Sequence, residues 1–183
     1  MRSEAPGTWK LSIIAAALLA AGYYLLTITF SSISYLEVNF RIAGLLFALI
    51  PIFGVPSIVG LGMGQFVADL SSPLGSLDLI SPVSGVAGFA IIFALRKRRN
   101  LFLYGGYLAH SLLISLWVSF MIFYVQGLSF FPLFYSVLIG NAAVDSGAFI
   151  IYLIIRSRLS SRTRVAARQK AVATEEVTRT PVS

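Results

Sequence analysis

The feature that most constrains this chain is the spacing of its charges. Between Leu11 and Ile155 the only formally charged residues are Glu37, Arg41, Asp69, Asp78, the run Arg96-Lys97-Arg98-Arg99 and Asp145. The blocks between them are oily: 57% of the 183 residues are apolar and 11% charged, against roughly a quarter charged in an average soluble domain. A soluble fold cannot hide such blocks. The net charge of +7 does not mark a nucleic-acid-binding surface, because the basic residues sit between and after the apolar blocks. With no cysteine, a disulfide scaffold and thiolate–metal chemistry are excluded too. The chain reads as a small all-α integral membrane protein, multi-pass in the cell membrane, with lipid as its immediate surroundings.

A helix needs about 20 residues to cross a hydrocarbon core of about 30 Å. Leu11 to Phe30 meets this alone. The stretch from Phe40 to Leu70 is longer and is broken at Gly54 to Pro56. It reads as two short helices, Phe40 to Phe53 and Pro56 to Leu70, because proline ends the first and suits the opening turn of the second. Leu79 to Leu95, Leu101 to Val125 and Leu133 to Ile155 complete six transmembrane helices. The second and third are short for a full crossing, so local membrane thinning or a partly re-entrant path is open to them.

Charge supplies an independent vote, since Lys and Arg of short loops collect on the cytoplasmic side. Six spans with both termini cytoplasmic place Arg2, Lys10, the Arg96 to Arg99 run and the seven basic residues from Arg156 onward inside, thirteen of 14. Only Arg41 is left outside. Cleavage of the first segment as a signal peptide is the alternative, but its apolar stretch exceeds the usual 7 to 15 residues. Residues 1–156 then form the membrane domain. Residues 157–183 form a basic, flexible cytoplasmic tail, attracted to anionic lipid and able to form a weak surface helix over Arg162 to Val177. No internal repeat is visible.

The polar residues gather toward the outer side. Glu37, Asn39, Arg41, Asp69 and Asp78 fall in or beside the outer loops. Arg41 sits near a helix N-terminus, where the dipole disfavours a cation. It either pairs with Glu37 or Asp69, or snorkels, or contacts a ligand or the outer lid. Gln65 and Asp69 share a helix face at four residues' spacing, and Asn141 and Asp145 repeat that spacing on the last helix. Asp145 lies near mid-membrane, where an ionisable group by default suggests function. The competing reading is a structural pair with His110 at similar depth. His110 has no companions for a metal site.

Gln65, Asp69, Asn141 and Asp145 suit an outward-opening pocket for the N–H and amine groups of a small heterocycle. Tyr23, Tyr24, Tyr35, Trp117 and Phe120 are candidates for a stacking face, although aromatics near span ends more often form an interfacial belt. No nucleophile, base and orienter assemble, so no catalytic residue is expected. No phosphate-binding loop exists, so the chain does not itself hydrolyse ATP. Small-residue ridges run along the first helix (Ala16 with Ala20, Ala17 with Ala21), the third (Gly60, Gly64, Ala68) and the fifth (Gly105, Ala109). Such ridges let backbones approach closely in lipid, within the bundle or against another subunit.

One segment carries a specific likeness. Asn39-Phe40-Arg41-Ile42-Ala43-Gly44, then Ala48-Leu49-Ile50-Pro51, then the run from Pro56 through Gly60-Leu61-Gly62-Met63-Gly64-Gln65 to Asp69 and on to Asp78, resembles the QueT-type substrate-binding subunits of energy-coupling factor (ECF) transporters. The resemblance is best over residues 39 to 78 and general in helix number elsewhere. It implies a six-helix S component that captures a micronutrient outside, here a queuosine-precursor-like 7-deazaguanine. The partners implied are a transmembrane coupling subunit and two cytoplasmic ATPases, which alone bind ATP. No cofactor is bound by this chain. The resemblance further implies that Ala16, Ala17, Ala20 and Ala21 meet the coupling subunit and that the Ser31 to Asn39 loop is the outer lid. It implies too that Asp69, Asn141 and Asp145, with Gln65, Arg41, Glu37 and Asn39, serve the substrate. The rivals are an autonomous, ion-coupled secondary carrier using Asp145 as a relay, a membrane enzyme, and a structural membrane subunit.

Overall fold

The computed structural model describes residues 8–34, 40–72 and 75–179. Helix α1 runs Thr8–Thr29 and is followed by a single helical turn, Ser31–Ser34. The second helix, α2, covers Ile42–Phe53: a 3-10 helix over Ile42–Leu49 that turns α-helical over Ile50–Phe53. Next come α3 (Val55–Asp69) and a 3-10 turn, Gly75–Ile80, that leads directly into α4 (Ser81–Leu95). Two long helices, α5 (Asn100–Gln126) and α6 (Phe130–Arg179), complete the chain. No strand occurs among the described residues.

The surface is that of a protein dissolved in lipid. Leu18, Leu116 and Ile139 are exposed, while Asp69, His110, Ser111, Ser115 and Asp145 are buried. Among the described residues four segments are long and apolar enough to cross a membrane: Trp9–Thr29, Asp78–Leu95, Asn100–Gln126 and Phe130–Arg162. The other two helices are the short ones the sequence anticipates. At about 1.5 Å per α residue, the 15 residues of α3 reach about 22 Å. The eight 3-10 residues of α2 rise about 2.0 Å each, which carries its 12 residues to a similar length. Both fall short of the about 30 Å hydrocarbon core. Beyond Ile155, where the sequence places the end of the last span, α6 continues as helix to Arg179.

Unsatisfied backbone groups are costly in lipid, and the break between α2 and α3 satisfies them locally. Gly54 takes φ 71°, which a Cβ disfavours. Its N–H donates to the Ile50 carbonyl at 2.9 Å, and the Ser57 hydroxyl donates to the Leu49 carbonyl at 3.1 Å. Pro56 stands in the first turn of α3, where its missing N–H costs nothing.

The six helices close into a ring in the order α1, α3, α4, α5, α6, α2. Ala16 lies against Gly60 and Ala20 against Gly64, so close that a Cβ on either glycine would meet the α1 backbone within 2.6 Å. The matched spacing makes α1 and α3 parallel. The start of α3 in turn adjoins the end of α4, through Gly54 and Phe93. Arg156 of α6 donates to Asn100 at the start of α5 at 2.9 Å. Lys10, the Arg96 to Arg99 run and Arg156 therefore share one end of the bundle. An apolar core of Leu19, Phe47, Ile50, Leu61, Phe89, Ile92, Leu103 and Tyr152 fills the ring toward that basic end.

Candidate functional site

Above this core the ring encloses a cavity to which every helix contributes. It is lined by Tyr23 of α1, Arg41, Gly44 and Phe47 at and within α2, Gln65 of α3 and Ser81 of α4. From α5 come His110, Ile114, Trp117 and Val118, and from α6 Asn141, Val144 and Asp145. The space with its mouth is about 440 Å³, yet the centre of a water molecule has only about 20 Å³ in which to move. That is room for about one water. Anything larger enters only as the surrounding side chains draw apart.

The floor is aromatic. His110 stacks on Phe89 with ring centroids 5.3 Å apart and meets Phe47 edge-on at 4.9 Å. A Cβ on Gly88 would lie 2.3 Å from the imidazole, so the bare backbone of α4 is what lets the ring lie flat there. His110 Nδ1 and Asp145 Oδ2 are 2.8 Å apart, and the Ser111 hydroxyl donates to the same carboxylate oxygen at 2.5 Å. Asn141, one turn from Asp145, donates to the Ser115 hydroxyl at 3.3 Å. Asp145 therefore pairs with His110, as the structural reading expects, and also lines the cavity.

Nearer the mouth a charged network ties three elements. Arg41 Nη1 lies 2.9 Å from Asp69 Oδ1 at the end of α3, and Nη2 lies 3.9 Å from Asp78 Oδ2 in the 3-10 turn before α4. The Ser81 hydroxyl donates to Asp78 Oδ1 at 2.5 Å and accepts from Trp117 Nε1 at 2.9 Å. The second oxygen of Asp69 is buried without a hydrogen-bond partner among the described residues. Arg41 thus answers its unfavourable place near a helix N-terminus with two carboxylates.

Of the residues expected to serve a substrate, Arg41, Gln65, Asn141 and Asp145 line one cavity. Asp69 supports it from behind, through Arg41. Glu37 and Asn39 lie outside the described residues, as does Tyr35. Among the aromatic candidates Tyr23 and Trp117 line the cavity, Tyr24 is half-buried and Phe120 is 52% exposed on the outside. Sequence reasoning missed Phe47, Ser81, Ser111 and Ser115. The signal for the two α5 serines was present, since a hydroxyl every fourth residue beside His110 marks a polar stripe on an otherwise oily helix. The four alanines of α1 divide: Ala16 and Ala20 are taken up against α3, whereas Ala17 and Ala21 are exposed. Gly105, on α5, has no neighbour within 4 Å of a built Cβ.

An apolar exterior, a cavity of mixed polar and aromatic lining reached by all six helices, and a core sealing one end mark a helical membrane protein built around an internal site. The sequence model of the QueT transporter family matches residues 13–156, covering every helix described above except the first turn of α1 and the part of α6 beyond Arg156. The chain belongs to the QueT transporter family, and so to the S-component, ECF type of transport subunit rather than to the enzymes. Neither the curated proteins nor the solved structures contain a match.

Proposed function

We propose that this chain is the substrate-capture subunit of an ATP-driven ECF importer in the plasma membrane and that its substrate is a queuosine-precursor-like 7-deazaguanine. One observation carries the reading: within a QueT-family chain, two amides, a carboxylate and the aromatic side chains of Tyr23, Phe47 and Trp117 line a single cavity. A deazaguanine offers ring N–H and amino donors for Asp145 and for the Gln65 and Asn141 amides, and a π face for the aromatic side chains. In this reading α2 and α3 cross the membrane with the four longer helices, and both termini lie in the cytoplasm.

Energy comes from outside the chain. A transmembrane coupling subunit and two ATPases are the partners, and ATP binds only to the latter. The exposed Ala17 and Ala21 offer the coupling subunit a surface without side-chain bulk. The coupling helices bind one state of the bundle better than the other, which is what allows nucleotide binding to drive the cavity from outward to inward access. Mass spectrometry of small molecules released from the purified chain tests the substrate. A 7-deazaguanine is expected, and a different heterocycle would replace that assignment while leaving the capture function in place.

A further inference from the structure

On the outside of the ring, α4, α5 and the start of α6 leave a groove lined by Ser84, Leu113, Leu116, Trp117, Phe120 and Phe130, about 630 Å³ with its open side. Trp117 also lines the central cavity, so one side chain borders both spaces. The polar groups of the groove are already spent. Trp117 Nε1 donates to the Ser81 hydroxyl at 2.9 Å, and the Ser84 hydroxyl donates to the Ser81 carbonyl at 2.7 Å. The other lining side chains are hydrocarbon. From Leu113 to Gln126, α5 rises about 20 Å, and half a hydrocarbon core is about 15 Å. The groove therefore lies in the half of the bilayer nearer the mouth.

We propose that this groove is a lipid site: one acyl chain of a phospholipid, from the leaflet at the mouth end, lies in it and backs Trp117. The helices on either side are long and apolar enough to span, and Leu116 and Phe120 on the rim are exposed, so the groove opens to the bilayer. An unfilled gap leaves its lining short of contact atoms, and a flexible run of methylene groups supplies them. A helix of another protein fits poorly, since helices approach closely in lipid over small residues and all the lining side chains but Ser84 are large. In the ring order α5 stands opposite α1, far from the alanines offered to the coupling subunit, so the groove still faces lipid in a complex formed there. The site is independent of which molecule the cavity takes.

Trp9 and Trp117 are the only tryptophans of the chain, so Trp9→Phe leaves the indole of interest as the sole reporter. The full-length Trp9→Phe chain is reconstituted into vesicles that mix ordinary phosphatidylcholine with phosphatidylcholine brominated along its acyl chains. Bromine in contact with Trp117 is read as lost fluorescence. A single seated chain is either brominated or not, so the fluorescence is expected to fall in a straight line with the brominated fraction, by at least about half in brominated lipid alone. Ser84→Leu on that background fills the groove and is expected to remove most of the loss. A fall that is steepest at low brominated fraction shows several exchanging neighbours, bulk lipid in place of a seated chain, and overturns the proposal. Absence of quenching overturns it too, because something other than lipid then covers the groove. Quenching kept in full by Ser84→Leu places the chain elsewhere against Trp117 and overturns the groove as its seat. If that variant does not fold, the shape of the Trp9→Phe curve decides alone.

Discussion

Arg41 shows how a single residue ties separate elements together. Its guanidinium reaches Asp69 at the end of α3 and Asp78 before α4, so the mouth is held by one side chain that is 13% exposed. Truncating it leaves two buried carboxylates without their cation, and breaking such a pair from one side costs about 3–5 kcal/mol. Arg41→Ala is therefore expected to lower the melting temperature of the detergent-solubilised chain sharply, and Asp69→Asn on that background to restore part of the loss. Additive losses in that cycle would show that the two groups do not interact. At this scale the sequence was most legible where partners share a helix. Gln65 and Asp69, or Asn141 and Asp145, are four residues apart and fall on one face by helical geometry alone. Arg41 and Asp78 are 37 residues apart and connected by nothing local, so their meeting required the fold.

Among the elements, the parallel pair α1 and α3 is packed through the absence of side chains. A methyl group on Gly60 would stand 2.4 Å from the Ala16 carbonyl oxygen, which belongs to backbone and cannot rotate away. Gly60→Ala is expected to push the helices apart and to destabilise the chain by about 1–3 kcal/mol, read from thermal unfolding. The adjacent, exposed strip of α1 behaves differently. Ala17→Leu with Ala21→Leu adds bulk only to the exposed side, so the isolated chain should melt as before while copurification of the coupling subunit falls. Loss of stability in the double variant would place those alanines inside the bundle. The helix count was readable from the oily blocks and from Gly54 with Pro56. The 3-10 winding of Ile42–Leu49 was not, because its eight residues are as apolar as an α-helix would be and only the reach demanded of them distinguishes the two. A surface helix over Arg162 to Val177 was legible in the tail, but its unbroken continuation from the last span was not, since a tail rich in Arg, Ala and Ser carries no apolar stripe.

For the whole molecule, closure of the ring sets both the cavity and the two ends. Lys10, the Arg96 to Arg99 run and Arg156 gather at one end, and Arg41, Asp69 and Asp78 toward the other. In the proposed topology the first end, where the positive charges gather, faces the cytoplasm. The chain has no cysteine, so single substitutions give clean labelling. Ser71→Cys is expected to react with a membrane-impermeant thiol reagent in intact cells, and Arg98→Cys and Ser160→Cys only after permeabilisation. Labelling of Arg98→Cys and Ser160→Cys from opposite sides would break the topology. The central claim, that this ring of helices captures a small heterocycle by itself, is tested most directly by titrating 7-deazaguanine compounds against the purified chain and its Asp145→Ala variant, with melting temperatures measured on both. The account predicts saturable one-to-one binding that weakens at least about tenfold in a variant that still melts cooperatively. Unchanged affinity accompanied by a collapse in stability would make Asp145 a structural pair for His110 and contradict its place in the site.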